Sequence, residues 1–203
     1  MKRSTAILAL VLATMPGAAR AAEGHCALYA DEERSSCALE DPISSLVKVH
    51  MFAEGIAKLV VVEVAAPIPD CWKGATWIGD VIPHEIVIGD TQQKGGVAVF
   101  VGTPGTGICE TAVASDPAYI GSISIATQGF AEACCKYPIL PSGSSFGDPD
   151  PVAAVFGGPY GVEKVTVGWR GAVINADRSC PCAALQALAV EETSWGRIKA
   201  LYE

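Results

Sequence analysis

The sequence predicts a mainly-β protein, an antiparallel β-sandwich held by disulfide bonds and followed by one short C-terminal helix. Short segments rich in β-branched residues alternate with glycine-rich turn formers along most of the chain. Eight cysteines follow what reads as an export signal, and helical spacing of apolar residues occurs only near the C-terminus. A barrel is the alternative, because strand spacing alone does not separate it from a sandwich.

Composition excludes two broad classes. Of the 203 residues, 50% are hydrophobic, which is too apolar for a disordered chain. The formal net charge of -8 repels phosphate, so no nucleic-acid partner is expected.

Residues 1–21 have the three parts of a signal peptide. Lys2 and Arg3 form the basic start, the stretch from Ala6 to Leu12 is apolar, and Ala19-Arg20-Ala21 is a small-x-small cleavage site. The apolar stretch is shorter than the ~20 residues of a membrane helix, and no later run reaches that length. The sequence therefore predicts a protein without a membrane span that is secreted to the medium or cell surface, with the periplasm as the alternative.

Residues 22–190 are expected to form the single β-domain. Val47 to Phe52 and Lys58 to Val64 are rich in β-branched residues and flank the turn signal Glu54-Gly55, which predicts a hairpin. Further strands are predicted over 84–88, 97–101, 119–126, 152–156, 163–169 and 172–174.

Residues 191–203 are expected to form an amphipathic helix or tail. Thr193 or Ser194 can cap its start, and Trp195, Ile198 and Tyr202 recur at helical spacing. These three side chains would give one apolar docking face, used either by the domain itself or by a partner.

All eight cysteines are predicted to form disulfides, because an exported chain with an even number of cysteines meets an oxidising environment. A thiolate metal site is the rejected alternative, since the C-x-x-C spacing is absent. Cys134 and Cys135 are expected to bond to two distant partners, because a bridge between neighbours strains the peptide. The pairing itself is open. The cysteines are Cys26, Cys37, Cys71, Cys109, Cys134, Cys135, Cys180 and Cys182.

The catalytic patterns fail in context. Gly143 to Gly147 matches G-x-S-x-G, but the prolines on both sides oppose the strand and helix that a nucleophile elbow needs. Gly102 to Gly107 lacks the Lys and Ser/Thr of a phosphate loop. No catalytic residue, cofactor or metal is therefore predicted. A secreted hydrolase with loop-borne acid and base residues stays as the alternative, because spacing does not reveal which loops meet.

Trp72 and Trp77 are the best candidates for a ligand site. Flat rings stack on sugar faces, so two exposed indoles would favour a carbohydrate-binding module. Buried rings would make them core residues instead, as is common in sandwiches.

Several stretches together resemble a group of uncharacterised secreted bacterial proteins. They are Leu28-Tyr29-Ala30-Asp31, Gly74-Ala75-Thr76-Trp77, Ile88-Gly89-Asp90-Thr91, Cys134-Cys135-Lys136-Tyr137-Pro138 and the tail from Glu192 to Tyr202. The predicted hairpin also resembles the start of cohesin-type or immunoglobulin-like modules, which implies a sandwich. The ending Trp-Gly-x-Ile-Lys-x-x-Tyr resembles one on other exported proteins, which implies a sorting or docking element.

These observations favour a secreted or surface-associated module that binds a protein or cell-surface partner, or builds an assembly, without catalysis. Carbohydrate is the alternative ligand.

Overall fold

The computed structural model describes residues 24–93, 95–101, 116–141, 152–156 and 162–182, and within these ranges it contains strands and no helix. The predicted mainly-β class is therefore confirmed. The predicted signal peptide (1–21), the C-terminal helix (191–203) with Trp195, Ile198 and Tyr202, and Cys109 lie outside the described residues.

The described strands follow one another in short segments. In chain order they are β1 (His25–Tyr29), β2 (Ala38–Leu39), β3 (Ile43–Glu54), β4 (Leu59–Ala65), β5 (Trp72–Lys73), β6 (Thr76–Val81), β7 (Val87–Gly89), β8 (Val97–Phe100), β9 (Ala118–Gln128), β10 (Phe130–Ala131), β11 (Cys135–Tyr137), β12 (Leu140–Pro141), β13 (Val152–Phe156), β14 (Val162–Thr166), β15 (Gly168–Arg170) and β16 (Ala172–Ile174).

The described strands form two large sheets and two small ones. The five-stranded sheet has the order β15-β1-β3-β9-β6, and the six-stranded sheet has the order β14-β13-β4-β8-β7 with β12 also paired to β4. The small sheets are β10-β5 and β11-β16-β2. β6 is the edge strand of the five-stranded sheet, and β7 is the edge strand of the six-stranded sheet. The candidate site lies between these two edge strands.

The two large sheets share one core. Buried Val49 and Ile123 come from the five-stranded sheet, and buried Val62 and Val99 come from the six-stranded sheet, in the same cluster of touching side chains. Burial of this apolar surface is the main stabilising contribution to the fold.

The predicted hairpin is wrong, although both of its strands exist. β3 pairs with β1 and β9, whereas β4 pairs with β8, β12 and β13 in the other sheet. Every residue of β4 is buried, including Glu63, so the strand lies inside the fold rather than on a half-exposed hairpin. Gly55, with φ of 66°, turns the chain from one sheet into the other.

The purely antiparallel prediction also needs correction. β1 pairs parallel with β15, and β2 pairs parallel with β16. Both pairs join the start of the domain to residues more than a hundred positions later, and a long return path is what permits parallel pairing.

Three disulfides between described cysteines tie distant segments together. They join Cys37 to Cys182, Cys71 to Cys135 and Cys134 to Cys180, with Cα–Cα distances of 5.6, 5.6 and 5.7 Å. The separate partners predicted for Cys134 and Cys135 are confirmed. Cys134 takes a left-handed conformation (φ 59°) at the turn before β11, which lets the neighbouring side chains reach different partners.

Cys26 corrects the prediction that all eight cysteines pair. Its thiol is free and fully buried in β1, with no disulfide partner among the described residues. Burial raises the pKa of this thiol to about 12, so it acts as a small apolar core residue rather than a nucleophile.

Candidate binding groove between two sheet edges

The two predicted tryptophans have different environments. Trp72 is buried, its indole Nε1 donates to Oδ1 of Asp41 at 2.9 Å, and its ring packs edge-on to Tyr137. Trp72 is therefore a core residue, so only Trp77 remains of the predicted tryptophan ligand site. Trp77 is half-buried and lines a groove on the surface.

This groove lies between β6 and β7, and we call it the β6–β7 groove. β6 is the last strand of the five-stranded sheet and β7 is the last strand of the six-stranded sheet, so two sheet edges border it. Trp77 and Gly79 lie on the β6 side, and Val87 and Gly89 lie on the β7 side. Its volume is about 420 Å³, which is within the range of ligand-binding clefts.

Asp80 fixes the geometry of the groove. Its carboxylate accepts hydrogen bonds from Nε1 of Trp77 at 3.0 Å and from the backbone N and Oγ1 of Thr91 at 2.7 and 2.8 Å. Thr91 is fully buried just after β7, so these bonds hold the two strands at a set separation. The bond to Asp80 fixes the position of the Trp77 indole Nε1 in the lining of the groove.

Aliphatic side chains are exposed on both strands and on the link between them. We call this set, Ile78, Val81, Ile86, Val87 and Ile88, the aliphatic band, and its members are 37 to 60% exposed. Because Val87 and Ile88 are consecutive in β7, they point to opposite faces of the strand, so the band includes side chains on both faces of this edge. Exposed apolar side chains that lie close together on a surface are typical of interaction sites.

The sequence carries only a weak signal for this band. Thr76 to Ile82 is rich in β-branched and aromatic residues, yet Gly79 breaks the run, and no strand is predicted there. The strand predicted over 84–88 overlaps β7 only at its end.

A second cluster of functional groups is centred on Glu54, at the end of β3. Its carboxylate accepts from Nη1 of Arg34 at 2.9 Å and from the hydroxyl of Tyr29 at 3.1 Å, and Nε2 of His25 lies 2.9 Å away. The His25 Nε2 is within ion-pair distance but is not aligned as a hydrogen bond. Glu54, Tyr29 and His25 are all buried.

Burial sets the titration of this cluster. It lowers the pKa of His25, assisted by the charge of Arg170 and opposed by Glu54 and Asp116. Burial, followed by the charge of Glu54, raises the pKa of Tyr29 to about 12. The carboxylate is thus occupied by this chain's own groups, which suits a structural role.

The lowered pKa values of His25 and His50 predict how the stability of the fold changes with pH. Burial is also the largest cause that lowers the pKa of His50, with Lys48 acting in the same direction and Glu32 against it. Both histidines have a lower pKa in the folded protein than the unfolded value near 6.5, so the unfolded chain binds more protons than the folded chain in this pH range. Lowering the pH therefore favours the unfolded chain. We expect the free energy of unfolding, measured by urea titration, to decrease from pH 7.5 to 5.5, and to decrease less in the His25→Gln/His50→Gln variant. An equal decrease in both proteins would contradict this assignment.

One group of possible metal ligands occurs among the described residues. Cys134, Asp177 and Cys180 bring their ligand atoms within 4.8 Å of one another. Cys134 and Cys180 are joined as a disulfide, so their sulfurs are not available as thiolates.

A cohesin is among the solved structures that are similar to this chain. No family model matches the chain, and no curated protein matches it significantly. The sixth cohesin of scaffoldin B from Acetivibrio cellulolyticus, solved in complex with a mutant Cel5 dockerin, is 14% identical over 76% of this chain and 99% of that chain, with a TM-score of 0.45. In the described residues, no helix is long and apolar enough to cross a membrane.

Proposed function

We propose that the protein is an exported, non-catalytic module that binds a protein partner through the aliphatic band. The observation that carries this proposal is the exposure of five large aliphatic side chains, four on the two strands at the open edges of the large sheets and one, Ile86, on the link between these strands. Water exposure of such side chains is unfavourable, and covering them is worth about 25 cal/mol per Å² of apolar surface. A partner that covers the band would gain this contribution.

Export is supported by the three disulfides, which persist in oxidising compartments. The sandwich arrangement is supported by the single core to which both large sheets contribute.

The hydrolase alternative receives less support from the described chain. A carboxylate and a histidine meet at two places in the described chain. Glu54 and His25 are both buried, and the Glu54 carboxylate is held by Tyr29 and Arg34. The other pair is His50, which is buried, and the exposed Glu32, whose carboxylate lies 3.9 Å away. A general acid or base has to reach its substrate within hydrogen-bond distance. This arrangement favours stabilisation of the fold over turnover.

The experiment compares two variants that remove exposed aliphatic side chains at different places. Val81→Ser/Ile88→Ser alters the aliphatic band, and Ile43→Ser alters the 79% exposed Ile43 of β3 as the matched control. Each immobilised protein is cross-linked to the exported proteins of the source organism, and the products are quantified by mass spectrometry. We expect a specific partner whose recovery falls about tenfold or more with the band variant and is unchanged with the control, since ~1.4 kcal/mol corresponds to tenfold in affinity. Equal recovery of every protein by all three forms would contradict the proposal.

A further inference from the structure

The backbone of β7 has one paired side and one open side. The amide of Phe100 donates to the carbonyl of Ile86 at 3.1 Å, and the register then pairs Val87 with Val99 and Ile88 with Ala98. In an antiparallel ladder, hydrogen-bonded and non-hydrogen-bonded pairs alternate, so Ile88 directs its N–H and C=O towards β8. Val87 and Gly89 therefore direct theirs away from β8.

These outward groups border the β6–β7 groove. Val87 and Gly89 both line it, and the described residues supply no hydrogen-bond partner to their outward N–H and C=O groups. An exposed strand edge of this kind is a template for another strand. Extended peptides bind such edges through main-chain hydrogen bonds, while alternate side chains give specificity.

The charge of the groove selects the type of segment. Asp80 and Asp90 both line it. Each carboxylate accepts hydrogen bonds from this chain, Asp80 from Trp77 and Thr91 and Asp90 from the backbone amides of Gln92 and Gln93, but no described lysine or arginine neutralises either charge. A segment that covers the groove removes water from these two negative charges, which is unfavourable unless a cation replaces the water. Trp77, Ile82 and Val87 supply the apolar part of the lining.

We propose that the β6–β7 groove receives an extended segment of a partner protein, which adds as a strand to the open edge of β7 and places lysine or arginine side chains against Asp80 and Asp90. The segment alternates cationic and apolar residues, because successive side chains of a strand point to opposite faces. This inference rests on the proposed function and adds the binding mode and the chemistry of the partner.

A larger side chain at Gly79 would block the groove without disturbing the fold. A Cβ built at Gly79 meets nothing within 4 Å, and the residue does not have a positive φ, so a larger side chain fits without a clash in the fold. Gly79→Val would project into the groove, and Gly79→Ala would serve as the matched control with a smaller intrusion. Unchanged melting temperatures establish that both variants are folded.

The probe is a hexapeptide of alternating lysine and valine, with the corresponding glutamate–valine hexapeptide as the charge control. Binding is followed by NMR through the backbone amide signals of Val87 and Gly89 in the full chain. We expect the lysine peptide to shift these signals, the glutamate peptide to leave them unchanged, and Gly79→Val to weaken lysine-peptide binding at least tenfold while Gly79→Ala weakens it less. Binding that is equal for both peptides, undetectable for both, or unaffected by Gly79→Val would overturn the inference.

The outcome separates this inference from the proposed function. If Gly79→Val still captures the cross-linked partner that Val81→Ser/Ile88→Ser loses, strand addition is wrong and binding through the aliphatic band stands. If every protein that the unmodified chain captures is also captured normally by Val81→Ser/Ile88→Ser, the proposed function itself fails.

Discussion

Replacing Glu54 with alanine is expected to lower the free energy of unfolding by about 3 kcal/mol, since removing one member of a buried charge network leaves its partners unpaired. The carboxylate receives Arg34 and Tyr29 and lies beside His25, and it ties the segment after β1 to the end of β3. The Arg34 side chain is 34% exposed, which keeps the expected value at the lower end of the range for buried pairs. Urea unfolding measures the change.

The matched control is Glu132→Ala. Glu132 forms an ion pair with Lys73 at 2.6 Å, but both side chains are more than half exposed. Exposed pairs contribute about 0 to 1 kcal/mol, so this variant should have nearly the stability of the unmodified protein. If Glu54→Ala and Glu132→Ala have the same small effect, the network around Glu54 does not stabilise the fold.

Removing the Cys71–Cys135 disulfide is expected to lower the free energy of unfolding by about 4 kcal/mol. The bridge closes a loop with a sequence separation of 64, and loop closure of this length restricts the unfolded chain by roughly that amount. Cys135 is also buried in the core beside Trp72 and Tyr137, so Cys71→Ala/Cys135→Ala leaves a small void. Thermal and urea unfolding of the oxidised proteins measure the loss.

Cys26→Ala is the control for this experiment. Cys26 is buried but unbridged, so its replacement removes one sulfur atom from the core without releasing a loop. A loss of about 1 kcal/mol is expected, comparable to deletion of one buried methylene. A loss as large as that of the Cys71–Cys135 variant would show that loop closure is not what the bridge contributes.

Local sequence patterns predict many of the strands, because the buried positions of a strand favour apolar, β-branched side chains. The strands at Val97–Phe100, Val152–Phe156 and Ala172–Ile174 agree with their apolar, β-branched segments. The separate partners of Cys134 and Cys135 followed from peptide geometry. β1 was missed, because Cys26-Ala27-Leu28 has little β-branched character and pairs only through distant strands.

Strand partners depend on contacts between distant segments, which explains the errors. A turn such as Glu54-Gly55 serves a hairpin and a crossover equally well, and only the packing of β4 inside the six-stranded sheet decides between them. The candidate site likewise depends on contacts between segments that are distant in the sequence. Trp77 was identified from its residue type, but the groove exists because the edges of two sheets meet beside it, and no local pattern encodes that meeting.

The claim that β6 and β7 form the binding surface is tested most directly by hydrogen–deuterium exchange of the full chain, alone and with the partner recovered by cross-linking. The account predicts slower exchange between Thr76 and Gly89, with the outward amides of Val87 and Gly89 among the most affected, because a covering strand would accept their hydrogen bonds. Slower exchange confined to other strands, such as β3 or β13, with Val87 and Gly89 unchanged, would contradict it.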